Sequence, residues 1–152
     1  MENKNTNSKV KRGEIYLYDF GNNGGSIQNG VRPALVVQCD EGNAASSTTI
    51  IAAMTSIIKK QYLPSHIILG DRFGLKEPSM VMLEQLKTVN QSDLIEYIGK
   101  IDDEHYMKKI NICCELQHLY GLLTVFAFHP SVSFLKVEIM IDCATNRAFG
   151  IV

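Results

Sequence analysis

The sequence predicts a mainly β fold with one major helix, arranged as a small antiparallel barrel with helical cover. Three observations carry that expectation. Between residues 14 and 101 the chain holds six short apolar runs rich in β-branched and aromatic residues, with turn-forming residues between them. One segment of helical spacing follows those runs. The chain has 152 residues, 45% of them hydrophobic and 20% charged, which suits a single domain with a core of its own.

The elements follow in order. Glu14 to Phe20 (EIYLYDF) alternates polar and apolar residues and reads as the first strand. Gly21 to Gly30 (GNNGGSIQNG) holds four glycines in ten residues and reads as a flexible loop. Pro33 to Gln38 (PALVVQ) is a buried strand, with Pro33 tolerable at its first position. Cys39 to Ser47 is turn chemistry, and Thr48 to Thr55 (TTIIAAMT) is another buried strand. Leu63 to Leu69 (LPSHIIL) is read as a strand, Asp71 to Pro78 as a loop or short helical turn. Ser79 to Val89 and Glu96 to Ile101 are the last two strands. Asp102 or Asp103 can cap the helix that follows, and Glu104 adds negative charge to its first turn. Gly121 can end it as a C′ glycine. The expected organisation is a flexible N-terminal arm over residues 1–10, one domain over 11–121 and a C-terminal extension over 122–152. Within that extension Lys136 to Asp142 (KVEIMID) alternates as a strand would.

Net charge is -1, so a nucleic-acid partner would need positive charge gathered locally. The first residues are polar and lack the apolar stretch of a secretory signal. The apolar run Leu122 to Phe128 is far short of the ~20 residues that span a bilayer. The expectation is a soluble, cytoplasmic protein that does not enter the membrane. Of the four cysteines, Cys39, Cys113, Cys114 and Cys143, none stands in a CxxC pattern. They read as reduced and mostly buried thiols. The His and Cys residues lack zinc-ligand spacing, so no metal and no other cofactor is expected.

Residues able to hold a phosphate stand at strand ends. Arg32 follows the Gly-rich loop and precedes a buried strand, so its planar fork can project from a rigid anchor toward two phosphate oxygens. Thr55 and Ser56 close a buried strand and offer hydroxyl donors, or else satisfy the local backbone. Lys59 and Lys60 raise the local positive potential, or form a solvated turn. His66 has the chemistry of a general acid or base, but its place inside a strand reads as structural. Gln85 could read a base edge, bind phosphate or bridge strands.

Together and in this order, these residues resemble the MazF/PemK family of toxin endoribonucleases. The matching segments are RGEIYLYDF, GGSIQNGVRPALVVQ, the turn Asp40-Glu41-Gly42-Asn43, IIAAMTS, LPSHIIL, MVMLEQLKT and IGKIDDEHYMKKI, covering about Lys11 to Gly121. The resemblance implies an SH3-like barrel of the CcdB/PemK kind, a homodimer, and single-stranded RNA (mRNA) bound in a groove on that dimer. It implies metal-independent, sequence-specific cleavage by 2′-OH attack, leaving a 2′,3′-cyclic phosphate and a 5′-hydroxyl. It also implies a cognate antitoxin protein whose flexible segment occupies the same groove. By the same comparison Arg32 and Thr55 are the catalytic pair, with Arg32 stabilising charge on the phosphorane. Gln28, Asn43, Ser56, Lys59, Gln85 and Lys87 fall in or near the RNA path. Two departures stand out. Ile27 occupies a position where most relatives carry glutamate, and Lys87 one where arginine is frequent, which keeps charge and loses the fork. The alternative on the same barrel is a non-catalytic binding module, either a CcdB-like topoisomerase inhibitor or a decayed toxin that binds an antitoxin.

Overall fold

The computed structural model describes residues 9–127, with side chains through residue 115. Six strands are present: β1 (Glu14–Asp19), β2 (Val31–Val36), β3 (Thr48–Thr55), β4 (His66–Gly70), β5 (Ser79–Asn90) and β6 (Glu96–Lys100). They form one antiparallel sheet in the order β4-β5-β3-β2-β1-β6, curled into a half-barrel. A six-residue helix α1 (Asp40–Ala45) joins β2 to β3, and a single 3-10 turn (Gln91–Asp93) precedes β6. The long helix α2 (Glu104–Ala127) ends the described chain. By contacts the chain divides into a β unit through Met107 and a second unit from Lys108 that carries most of α2.

Both faces of the sheet are apolar, which explains why β3 and β5 read as near-continuous hydrophobic runs. Tyr16, Tyr18, Ala34, Ala53, Met80 and Met82 form a cluster on one face. Ile15, Leu35, Ala52, Val81 and Leu83, the alternate residues, are fully buried on the other. Withdrawing each large side chain from water stabilises the fold by roughly 1.5–3 kcal/mol.

Several expectations change in the structure. The Cys39 to Ser47 turn contains helix α1. Asp40 and Glu41 lie in its first turn, where the helix dipole favours negative charge, and the Asp40 carboxylate accepts the Arg12 N–H at 2.7 Å. β4 starts at His66 and not at Leu63, because Leu63 N–H bonds to Lys60 O and His66 N–H to Leu63 O in successive turns. Val10 is only 8% exposed and packs in the core cluster, so this residue belongs to the folded domain. Asp103 is the residue that caps α2, accepting the His105 N–H at 2.9 Å. The helix passes through Gly121 to Ala127. A glycine costs about 1 kcal/mol in a helix interior, and the Leu122-Leu123 pair after it favours continuation. The possible strand at 136–142 lies outside the described residues. Among the described residues no disulfide is present; Cys39 is exposed, while Cys113 and Cys114 are half-buried. Among the described residues, no helix is long and apolar enough to cross a membrane.

β2 begins at Val31, which puts Pro33 inside a central strand. Val37 N–H donates to Ile50 O at 2.9 Å, so alternate residues of β2, Leu35 and position 33 among them, turn their N–H side toward β3. Proline has no N–H to give there. The paired register of β2 with β3 covers Ala34↔Ala53, Leu35↔Ala52 and Val36↔Ile51, and goes no further toward Arg32.

Candidate active site

The end of that ladder positions the site. Extending the Ala34↔Ala53 register by two residues sets Arg32 across from Thr55, just beyond the last paired residues. Arg32 also pairs with Tyr18 of β1, and Thr55 with Met80 of β5. Their side chains therefore share the sheet face of the Tyr18–Met80 cluster.

Arg32 is half-buried, and its Nε donates to Asn29 O at 2.7 Å. Its terminal amino groups have no hydrogen-bond partner, and no carboxylate pairs with it, among the described residues. Thr55 is 6% exposed. Its Oγ1 accepts the Ile57 N–H at 3.1 Å, which fixes the oxygen and leaves the hydroxyl proton for another acceptor. Both residues line two clefts. One, of about 470 Å³, lies between the Gly21–Gly30 loop and the β3–β4 loop. The other, of about 430 Å³, lies toward residues 74–79 and β6.

The Gly21–Gly30 segment is better tied than its composition suggests. Gln85 Oε1 accepts the Gln28 N–H at 3.0 Å, and Gln85 Nε2 donates to Ser26 O at 3.2 Å. Asn23 adds a lock of its own, donating from Nδ2 to Phe20 O and Gln28 O at 2.8 and 2.9 Å. Gln85 reaches the loop because β5 bulges. Consecutive Ala52 and Ala53 pair with Leu86 and Met82, so Leu83, Glu84 and Gln85 bow away from β3 and are re-aimed. Gln28 points inward, with Nε2 donating to Met82 Sδ at 3.8 Å.

The loop cleft also holds Lys59 and Lys60, the latter in the left-handed region with φ 52. His66 and Glu84 stand on the same wall, with Nε2 and Oε1 2.9 Å apart. The His66 side chain is 6% exposed and its buried Nδ1 has no hydrogen-bond partner among the described residues, while Glu84 is 39% exposed. Among the residues lining this cleft, Glu84 is the single carboxylate and His66 the single imidazole. Sequence reasoning read His66 as structural and gave Glu84 no role. Only the β4–β5 register, in which His66 faces Met82, could have joined two residues so far apart in the chain.

The remaining candidates separate. Ser56 is exposed and lines the second cleft. Lys87 lines neither cleft; its Nζ sits 5.1 Å from the centre of the Tyr18 ring. Asn43 is a correction. It is fully buried at the opposite end of β2 and β3, donating to Gln38 O at 3.1 Å and accepting from Thr49 Oγ1 at 2.7 Å. Both functions of its amide hold α1 in place, so it offers no group to a ligand. Burial and the Glu14 carboxylate, to which Tyr16 donates at 2.8 Å, push the Tyr16 phenol upward and keep it protonated. Among the described residues, no group of three His, Cys, Asp or Glu side chains forms a metal-ligand cluster.

An arginine with no counter-ion among the described residues, set across from a buried hydroxyl at the lip of two clefts on a β half-barrel, is chemistry suited to an anionic ester. Residues 11–116 match the model of a family described as the PemK-like, MazF-like toxin of type II toxin-antitoxin systems. The chain belongs to that family. It is 45% identical over 96 residues to endoribonuclease EndoA of Bacillus subtilis, covering 62% of this chain and 83% of that one. It is 35% identical over 117 residues to endoribonuclease MazF of Staphylococcus saprophyticus, covering 76% of this chain and 95% of that one. Its fold is similar to that of a mycobacterial endoribonuclease solved in complex with its cognate antitoxin. There the TM-score is 0.59 at 21% identity, over 70% of this chain and 92% of that one.

Proposed function

We propose that this protein is the RNA-cleaving toxin of a type II toxin-antitoxin system, a sequence-specific endoribonuclease acting on single-stranded RNA. The observation that carries the reading is the meeting of Arg32 and Thr55 across the open end of the β2–β3 ladder. The catalytic domain in this reading covers residues 11–121.

In the reaction, the ribose 2′ oxygen attacks the adjacent phosphorus, the bond from phosphorus to the 5′ oxygen breaks, and a 2′,3′-cyclic phosphate is left. The Arg32 amino groups donate to the non-bridging oxygens as negative charge builds there, and the Thr55 hydroxyl donates to the same group. Its pKa above ~12 makes arginine a charge stabiliser and a poor proton donor. The His66–Glu84 pair supplies the proton traffic, since it is the one conventional acid-base pair in the loop cleft. Arg32, Lys59 and Lys60 supply the positive charge that the acidic whole-chain balance lacks. Ser56, Gln28 and Gln85 shape the RNA path, Gln85 by holding the loop. None of these steps requires a metal ion to supply charge.

The direct test is incubation with a long RNA in EDTA. Discrete cuts are expected, and Arg32→Ala should lower their rate by about 10²–10³-fold, the range for removing one preorganised oxyanion donor. An Arg32→Ala protein that cuts as fast as the unaltered chain refutes the assignment. Binding to a short single-stranded RNA should fall with salt at a logarithmic slope of about -2, from three cations at ~0.7 each.

The same reading includes a cytoplasmic homodimer whose cognate antitoxin lies in the loop cleft. Exposed Ile27 and Ile57, at 60% and 56%, flank the cations there. Acidic and apolar side chains alternating along a peptide complement that combination.

A further inference from the structure

Arg32 and Thr55 lie between two clefts of different chemistry, and a phosphate held there has a nucleoside on either side. The loop cleft carries lysines, amides and the His66–Glu84 pair. The β6 cleft has an apolar floor of Leu17, Pro33, Met54 and Leu75, with exposed Tyr97 on its wall and two carboxylates, Glu77 and Glu96. Tyr97 is 44% exposed, and its ring is set edge-on to buried Tyr16, with centroids 5.5 Å apart at 71°. Beyond Arg32 the cleft holds one cation, Lys76, against these two carboxylates, so its charge balance does not draw the phosphate chain in. An aromatic face over an apolar floor suits a flat, uncharged ring.

We propose that the β6 cleft is the subsite for the nucleobase next to the cleaved phosphate, and that Glu77 and Glu96 make it prefer bases with an exocyclic amino group. The proposal rests on the ribonuclease reading. Carboxylates only accept hydrogen bonds, so they pair with the amino groups of cytosine, adenine or guanine. Uracil, with two carbonyl oxygens and a single N–H, fits them less well. The base lies against Tyr97 and the aliphatic floor, which tolerate any of the three rings.

The test maps the 5′ ends of cuts in a long RNA and measures kcat/KM on short matched RNAs. For the unaltered protein, one nucleotide beside the cut should be depleted in uracil. Tyr97→Ala should lower kcat/KM about tenfold on the preferred RNA, measured well below the melting transition of the variant because the ring also packs on Tyr16. The double variant Glu77→Gln with Glu96→Gln should admit uracil there at least several-fold more often, since an amide donates as well as accepts. Cuts with no base preference at that position, or variants whose cut map and rate match the unaltered protein, overturn the subsite and leave the nuclease reading standing. A Tyr97→Ala protein that loses a two-chain assembly while its cut map is unchanged assigns the cleft to a subunit contact and also overturns it. An unaltered protein that makes no cuts removes both readings together.

Discussion

Two glycine-bearing loops border the clefts, and they use glycine for opposite ends. In the Gly21–Gly30 loop, a methyl group added at Gly21, Gly24, Gly25 or Gly30 would meet nothing within 4 Å. That loop stands clear of the sheet, tied to β5 by the Gln85 amide and cross-linked within itself by Asn23. In the residue 71–78 loop the backbone itself lies on β6. A methyl group at Gly74 would overlap the Ile98 carbonyl oxygen, and one at Gly99 would overlap the Phe73 carbonyl oxygen. Gly74 adopts φ 83 and Phe73 φ 59, so the crossing is also conformationally demanding. One loop is held by a few removable hydrogen bonds and can adapt to a ligand. The other is part of the packing and sets the floor of the β6 cleft.

Three substitutions bear on this contrast, in falling order of effect. Gly99→Ala should be the most damaging, because the obstacle is backbone and cannot rotate away. A loss of about 3 kcal/mol or more in urea unfolding is expected, with β6 displaced. A loss below ~0.5 kcal/mol would show that the 71–78 loop is not packed as described. Gln85→Ala removes both of its hydrogen bonds to the loop, each worth about 0.5–1.5 kcal/mol, along with a weak one to Met82 Sδ. Proteolysis should then cut within residues 21–30 well before 71–78, and KM for RNA should rise several-fold while the unfolding midpoint moves little. Equal proteolysis of both loops would erase the distinction. Gly24→Ala should be nearly silent, within about 0.5 kcal/mol, since its backbone is not left-handed and the space around it is open.

The legibility of the chain follows the same division. β3 and β5 were readable because both sheet faces are buried, so unbroken runs such as TTIIAAMT declare themselves. Arg32 and Thr55 were paired in the sequence only through the family resemblance, and extending the β2–β3 register sets them across from one another. Helix α1 was not readable. It is only six residues long, three of them (Asp40, Gly42 and Asn43) poor helix formers, and it is held by tertiary bonds to Arg12, Gln38, Thr49 and Gln91. Asn43 misled for the same reason, since a polar residue in a turn looks available until its amide is found satisfied inside. The His66–Glu84 pair depends on a strand register and a bulge, neither of which leaves a local signature. For Gln85 the sequence left base reading, phosphate contact and strand bridging open. The observed partner is the backbone of a distant loop.

Pro33 carries a consequence for turnover. Because the missing donor is absent covalently, the seam between β2 and β3 has no bond at position 33 to remake after each reaction. Entry of a ligand at Arg32 needs no rupture of the sheet, and departure of the product leaves no healed ladder to pry apart again.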